Sequence, residues 1–493
     1  MSNKSIAQKI IKSSFWQYIG SWLDKLIGFF GTIILARLLV PDDFGIVAAS
    51  AIVTGLFHVI ASVGTEEYLI RKSDLNDEDL NVGWTVNIVM KSITALLIFG
   101  TSWTVSEFMG DERLVRVLQV ASISPFLAGF ANIGMLLYNR EYNFKPSVIV
   151  AFSNKLIGFI TKISLAFLLN SYWAFMISEI VATVIYVAMT FVMHKYRPRL
   201  SFVGWQQQWS FSQWILLKSI FVFVRFRIDN ILLSKFFPLE TLGAYTVAKD
   251  IATMPSGQII GPVMAPLYVG LSSVHEDAGL FANKVHKSLS VLFLIIFPIM
   301  LGTYITAENL VYVLLGDQWL HVFPLVEILA FILLSGALGN FLTKVITALG
   351  NVKLVFKFEL ILGFLTIFTF MLLAGHMNIN EFALLRISLN VVNTLIVLIS
   401  LHFISKISVF RVLGLMGLPF LVSVYMIYCI NQIGILISTY SPIIQLTIQI
   451  SFGAFIYFLV ITGLVYLLRN LVDEYQFIWK TFYLSVATKL FGA

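Results

Sequence analysis

The sequence predicts an all-α polytopic membrane protein with about 14 transmembrane helices, arranged as two six-helix lobes followed by two further helices. Three observations predict it. Hydrophobic residues make up 58% of the chain and charged residues 12%, with a mean hydropathy of +0.89, whereas soluble domains carry roughly 25% charged residues. The apolar residues fall in blocks of about 20, the length an α-helix needs to cross about 30 Å of hydrocarbon. The short loops between blocks alternate between basic and acidic or neutral composition. A membrane β-barrel would show short alternating segments instead.

The chain opens on MSNKSIAQKIIKSS, a basic amphipathic stretch with no small-residue cleavage site behind a short apolar core. The first apolar block is therefore expected to remain as a span. Read against turn and charge signals, the spans lie near 15–40, 44–66, 82–108, 114–138, 147–169, 171–193, 208–236, 242–272, 287–315, 322–349, 353–375, 379–404, 409–437 and 443–468. The expected division is an N-terminal lobe over 1–200, a second lobe over 201–406, two added helices over 407–470 and a cytoplasmic tail over 471–493. No loop is long enough to fold as a domain.

One set of loops holds Lys4, Lys9 and Lys12, then Arg71 and Lys72, Arg140 and Lys145, Lys195, Arg197 and Arg199, Lys284 and Lys287, Lys353, and Lys406 and Arg411. The opposite set is acidic or neutral, apart from Arg113. Basic loops stay on the cytoplasmic side, so both termini are expected there. Arg37 and Lys235 sit near outer helix ends, where their stems can snorkel. Trp103, Trp173, Trp205, Trp209 and Trp319 lie near span ends and read as interfacial anchors.

An internal repeat is visible. LARLLVPDDFG ends the first span and LSKFFPLETLG the seventh, placing Gly45 and Gly243 198 positions apart. LLYNREYNFKP and ITALGNVKLVF end the fourth and tenth spans in a similar way. Six helices per repeat keep both halves in one orientation, and transporters built from such repeats bind substrate where the halves meet near the midplane.

The intramembrane polar residues share faces. Gln17, Ser21, Asp24, Gly28 and Gly31 align along the first span, flanked by Lys25. Trp84, Asn87, Lys91 and Thr94 align along the third; Lys155, Gly158 and Lys162 along the fifth; Gly336, Asn340, Thr343 and Thr347, beside Lys344, along the tenth. In the seventh span Lys218, Arg225 and Asp229 share a face, and Arg227 points away from them. A charge at the centre of a membrane helix costs roughly 2.5–3.5 kcal/mol on insertion scales, so such residues border a cavity or another helix. The excess is basic, with Asp24, Glu179, Asp229, Glu327 and Glu359 as counter-charges. A wet cationic interior suits an anionic group, and phosphate is a frequent anion for Arg and Lys.

Candidate substrate-binding residues are thus Lys25, Lys91, Lys155, Lys162, Lys218, Arg225, Arg227, Asn340 and Lys344, and candidate ion-coupling residues are Asp24, Glu179 and Asp229. The competing reading makes the lysines snorkel and the Arg225–Asp229 pair a clamp between helices. MPSGQIIGPVMAP in the eighth span predicts a kink. His58, alone on an apolar helix, reads as a satisfied core histidine.

Other chemistry is not supported. Cys429 is the single cysteine, which excludes an intramolecular disulfide, and it reads as a small buried hydrophobe. No Walker loop and no clustered metal-ligand spacing occur, so no ATPase, metal or other cofactor is expected. The net charge of +7 fits basic cytoplasmic loops and does not point to nucleic acid.

SFWQYIGSWLDKLIGFFGTIILARLLVPDDFGIVAAS resembles the opening of bacterial Wzx-type polysaccharide flippases, of the multidrug/oligosaccharidyl-lipid/polysaccharide exporter superfamily. The stretches at 69–89, 136–146, 242–268 and 314–330 continue the similarity over nearly the whole chain, with colanic-acid-type exporters nearest in pattern. GTEEYLIRK departs from it: Glu66 and Glu67 stand where the family more often has small or apolar residues. The resemblance implies two six-helix lobes around a V-shaped cavity and alternating access driven by an ion gradient. It implies an undecaprenyl-diphosphate-linked oligosaccharide as substrate, moved from the cytoplasmic to the periplasmic leaflet of the bacterial inner membrane. A polysaccharide polymerase and a chain-length regulator are implied partners. The chain is expected not to be an enzyme. The alternatives are a multidrug/cation antiporter of the related branch, which needs a carboxylate-dominated cavity, and a membrane enzyme or assembly factor of polysaccharide synthesis, which needs catalytic spacing absent here.

Overall fold

The computed structural model describes residues 3–61, 64–255, 259–274, 276–405 and 407–484. Side chains at 3–14, 67, 207–218, 265, 269 and 482–484 are outside the description. The described chain is helical throughout: α1 (Asn3–Leu38), α2 (Pro41–Ala61), α3 (Thr65–Arg71), α4 (Asp77–Met109), α5 (Arg113–Ala121), α6 (Ile123–Ala128), α7 (Met135–Arg140), α8 (Lys145–Leu169), α9 (Trp173–Met193), α10 (Trp205–Phe236), α11 (Leu239–Pro255), α12 (Gly261–Ser272), α13 (Ala278–Ile305), α14 (Ala307–Leu315), α15 (Phe323–Ala330), α16 (Ile332–Ala348), α17 (Val352–Leu373), α18 (Ile379–Ser405), α19 (Val409–Ile437), α20 (Pro442–Leu468) and α21 (Asp473–Ile478).

Among the described residues, 11 helical segments are long and apolar enough to cross a membrane. They fall on 11 of the expected spans. The other three expected spans have visible reasons to differ. The run 114–138 is divided into α5, α6 and α7, with non-helical backbone at 129–134 around Gly129 and Gly134. α10 is one continuous helix, and it carries Arg225, Arg227 and Asp229. The run 242–272 is divided into α11, ending at Pro255, and α12, starting at Gly261. Residues 256–258 of the expected kink lie outside the described residues. Two further expected spans contain breaks, at Thr306 between α13 and α14 and at Phe331 between α15 and α16.

Helix ends follow local chemistry. Asn76 caps α4: its side chain accepts from the Asp79 amide at 2.8 Å, and the Asp79 side chain accepts from the Asn76 amide at 3.1 Å. Gly110 ends the same helix in the left-handed conformation, with φ 72°. Asp277 caps α13 through Gly279 and Leu280. The Arg140 guanidinium donates to the Leu69 and Lys72 carbonyls at 2.6 and 2.8 Å, filling acceptors left open at the end of α3.

The chain divides into two compact units, residues 1–244 and 245–493. In the first unit α8 packs along α9 and α1, and α10 packs on α2, α4 and α3. The two glycines of the internal repeat meet there. A Cβ at Gly45 would lie 1.9 Å from the Leu239 carbonyl oxygen, and one at Gly243 would lie 2.4 Å from the Pro41 carbonyl oxygen. Only glycine permits backbones this close.

The second unit has an apolar core built from Phe281, Phe293, Phe297, Phe341 and their neighbours on α13, α16 and α19. A second cluster joins α19, α20 and α21 through Met426, Tyr457, Val465, Tyr475 and Ile478. Outside these cores large apolar side chains point away from the protein, including Phe364, Phe368, Leu421 and Phe458, each more than 60% exposed. Water would penalise such stripes, and lipid does not. Buried hydroxyls, such as Thr366 and Ser423, donate to the carbonyl four residues earlier in their own helices.

Two side-chain expectations change, and a third residue finds its explanation. Trp319 is fully buried, so it is a core residue and not an interfacial anchor. The 3₁₀ turn Asp317–Val322 folds it inward ahead of α15. His58 is exposed on α2 and is not a satisfied core histidine. Arg113, the basic residue on the otherwise acidic side, is paired. Its guanidinium reaches Asp42 at 2.5 Å and Asp111 at 2.6 Å, joining the start of α2 to the start of α5. Burial pushes the Asp111 carboxyl up, and hydrogen bonds from Arg113 outweigh that, leaving it below the usual carboxylate range.

Candidate functional site

The polar faces of α1 and α8 meet. Gln17, Ser21 and Asp24 from α1, with Ser147, Phe152 and Lys155 from α8, line a cavity of about 350 Å³. The approach is close because Gly20 faces Val148 and Gly31 faces Phe159. Lys155 Nζ lies 3.2 Å from Asp24 Oδ1, with the two side chains 44% and 58% exposed. The pair is therefore solvated, and each partner keeps capacity for another ligand.

Lys162 continues the same face of α8, two turns on. Its ammonium lies 4.9 Å from the centre of the Phe175 ring on α9. Glu179, exposed on α9, acts electrostatically on Lys162 and on His58 of α2. His58 in turn interacts with Lys91 of α4, and Lys91 with Glu66 of α3. Apart from the Asp24–Lys155 pair, which is in contact, a series of charges acting on one another through space runs Lys155, Lys162, Glu179, His58, Lys91, Glu66, all within the first unit. The sequence reading missed two of its links, His58 and Glu66. Glu66 is legible in the sequence only as a departure from the family pattern, and in the fold its charge acts on Lys91.

Lys91 also has a structural bond. Its ammonium donates to the Ala128 carbonyl at 3.2 Å, and Trp84 Nε1 donates to the Phe130 carbonyl at 3.5 Å. These carbonyls belong to the break after α6, where helical partners are missing. The polar face of α4 supplies the donors that the broken span lacks. Thr94 on that face donates to the Phe57 carbonyl of α2 at 3.5 Å.

The remaining candidates lie elsewhere. Lys25 is half-buried on α1, one residue from Asp24. On α10 the Arg225 guanidinium is 4.8 Å from the Phe226 ring centre, Arg227 is exposed, and Asp229 and Asn230 are buried. Lys218 falls outside the described side chains. In the second unit Asn340 is exposed on α16, and Lys344 stands 5.5 Å from the Tyr268 ring centre on α12. The structure therefore brings Asp24 and Lys155 into contact and places Lys162, Glu179 and Lys91 in the same unit, while Asn340 and Lys344 belong to the second unit.

A helical fold with 11 long apolar segments among the described residues, and with solvated and half-buried charges inside them, defines a multi-pass membrane protein. The chain belongs to the polysaccharide biosynthesis protein family, whose pattern matches residues 34–324, more than half its length. It is 24% identical over 371 residues to an uncharacterized membrane protein in the cps region of Klebsiella pneumoniae, covering 72% of this chain and 75% of that one. It is 21% identical over 371 residues to the lipopolysaccharide biosynthesis protein WzxC of Escherichia coli strain K12, covering 74% and 75%. In fold it is similar to the lipid II flippase MurJ in an inward closed conformation, with a TM-score of 0.72 at 15% identity over 92% of this chain and 99% of that one.

Proposed function

We infer that this protein is a flippase for lipid-linked oligosaccharides of surface polysaccharide synthesis. It would carry an undecaprenyl-diphosphate-linked repeat unit from the cytoplasmic to the periplasmic leaflet of a bacterial inner membrane, with both of its own termini cytoplasmic. The observation that carries the reading is the pair of cations inside a span of a polysaccharide biosynthesis family member: Lys155 and Lys162 on one face of α8, the first beside a solvent-reached cavity. A diphosphate needs cations held where water still reaches, and exposed Lys155 meets that need. Arg225 and Arg227 on α10, with Lys25, Lys218, Asn340 and Lys344, complete the proposed substrate contacts.

Asp24, Glu179 and Asp229 are the proposed coupling carboxylates, and an ion gradient the proposed drive. A cation antiporter requires its carboxylates for the transported cation. Among the candidate residues inside the spans the cations outnumber the carboxylates, which favours the anionic substrate. A polysaccharide polymerase and a chain-length regulator are proposed partners.

Deletion of the gene tests the reading in the cell. Surface polysaccharide should disappear while lipid-linked repeat units accumulate in the cytoplasmic leaflet. Unchanged surface polysaccharide, in a strain with no second flippase, contradicts it.

A further inference from the structure

The last two spans and the segment after them line a second cavity, open on one side and far along the chain from the basic string. Arg411, Gly414, Leu415 and Leu418 of α19 line it, with Leu468 at the end of α20, and Leu471 to Tyr475 close it; its volume is about 560 Å³. Its walls have two characters. The leucines form an apolar slot, and Leu471, 79% exposed, joins that slot to the outward apolar surface of the helix pair. One end of the slot is ionic. Arg411 Nε lies 2.8 Å from Glu474 Oε1, and Arg411 Nη2 lies 3.8 Å from Asp473 Oδ2.

The two carboxylates differ in access. Glu474 is 1% exposed and Asp473 is 74% exposed, while Arg411 is 45% exposed. Glu474 therefore balances the inner side of the guanidinium and is closed to ligands. Asp473 stands at the rim as an excess negative charge next to the exposed part of a cation. Arg411 is two residues into α19, and Leu468 is the last residue of α20. The ionic end thus lies where spans end, at the depth of lipid headgroups, with the apolar slot beside it.

We propose that this cavity binds a zwitterionic aminophospholipid, of the phosphatidylethanolamine class. Its ammonium would sit on Asp473, its phosphate on the exposed face of Arg411, and one acyl chain along Leu415, Leu418 and Leu468. Charge complementarity selects this occupant. An anionic lipid would bring its charge to a site whose two carboxylates outnumber its one guanidinium. A phosphatidylcholine head matches in charge, and it has no N–H to donate to Asp473. The site lies on helices outside the internal repeat, and it stands or fails independently of the flippase reading.

The test uses the full-length protein, purified and exchanged in turn into phosphatidylethanolamine, phosphatidylcholine and phosphatidylglycerol with identical acyl chains. Retained lipid is counted by native mass spectrometry, and thermal unfolding is recorded for each. Phosphatidylethanolamine should be retained about tenfold more tightly than phosphatidylcholine, the change expected for losing one charge-assisted hydrogen bond. Asp473→Asn should remove that preference. Gly414→Phe should abolish retention of every lipid at this site, because a side chain there enters the slot and a Cβ meets no atom within 4 Å. Equal retention of the three lipids, a preference for phosphatidylglycerol, or phosphatidylethanolamine retention unchanged in both variants would overturn the proposal. Should Gly414→Phe not fold, Asp473→Asn at its exposed position still decides.

Discussion

At the scale of single residues, the intramembrane cations divide by what they touch. Lys91 holds a backbone carbonyl, and Lys155 holds a solvated carboxylate. Lys91→Met should remove about 1.5–3 kcal/mol, the range for a hydrogen bond from a charged donor. Thermal unfolding would show that loss, and Lys91→Gln, which keeps a donor, should recover part of it. Arg225→Ala should lower transport with little loss of protein in the membrane. Arg225→Lys should be milder, since the charge stays and only the guanidinium fork is lost. Equal transport by all three forms removes Arg225 from the site.

His194, just past the end of α9, offers a pH test. Its Nδ1 accepts from the Tyr196 amide at 3.1 Å, which requires a ring unprotonated at that atom. Burial, and then Arg197, lower its pKa, against a smaller opposing pull from Glu141. The stability it contributes is complete above the ordinary histidine value near 6.5 and is lost as pH falls through the lower folded value. The wild-type melting temperature should therefore fall as pH drops from 7 to 5, and the fall should be shallower in His194→Gln, which accepts a hydrogen bond and does not titrate.

At the scale of elements, much of the helix layout was legible because long apolar runs have few physical alternatives. The expected spans at 409–437 and 443–468 correspond to α19 (Val409–Ile437) and α20 (Pro442–Leu468). The breaks were not legible. The few polar residues at 129–134 and around Thr306, and the apolar Phe331, barely lower a hydropathy average, so it reads one span where the backbone forms two helices. The polar stripe on α4 was legible as a stripe. That it serves the carbonyls of a broken neighbour depends on packing, which spacing along one helix does not encode. The pairing of Asp24 with Lys155 was hidden for the same reason.

The segment after α20 was read as a tail. In the structure Tyr475 and Ile478 of α21 are buried in the α19–α20 cluster. Burial, with Glu474 beside it, pushes the Tyr475 hydroxyl up to about 12.

The Gly45–Gly243 contact gives the sharpest test at this scale. Gly45→Ala forces a Cβ onto the Leu239 carbonyl and should sharply lower the yield of folded protein or its melting temperature. Gly28→Ala, on a helix with no atom within 4 Å of the added Cβ, should be neutral or stabilise by about 0.5–1 kcal/mol. Equal behaviour of the two variants would refute the contact.

At the scale of the molecule, the sequence reading of a polytopic helical membrane protein rested on composition and loop charge, and it agrees with the family and the fold. The site was legible only as a set of faces. The string from Asp24 to Glu66 appears when six helices are folded together, and two of its members carried no periodic signal of their own. The central claim is that this string serves a lipid-linked diphosphate sugar.

The most direct measurement reconstitutes the protein in liposomes with a fluorescent undecaprenyl-diphosphate oligosaccharide and follows its movement between leaflets, with and without a proton or sodium gradient. The account predicts gradient-dependent movement in the wild type and its loss in Lys155→Met with the protein still folded. Movement unaffected by Lys155→Met, or none in folded wild-type protein across several repeat-unit sugars, would contradict it.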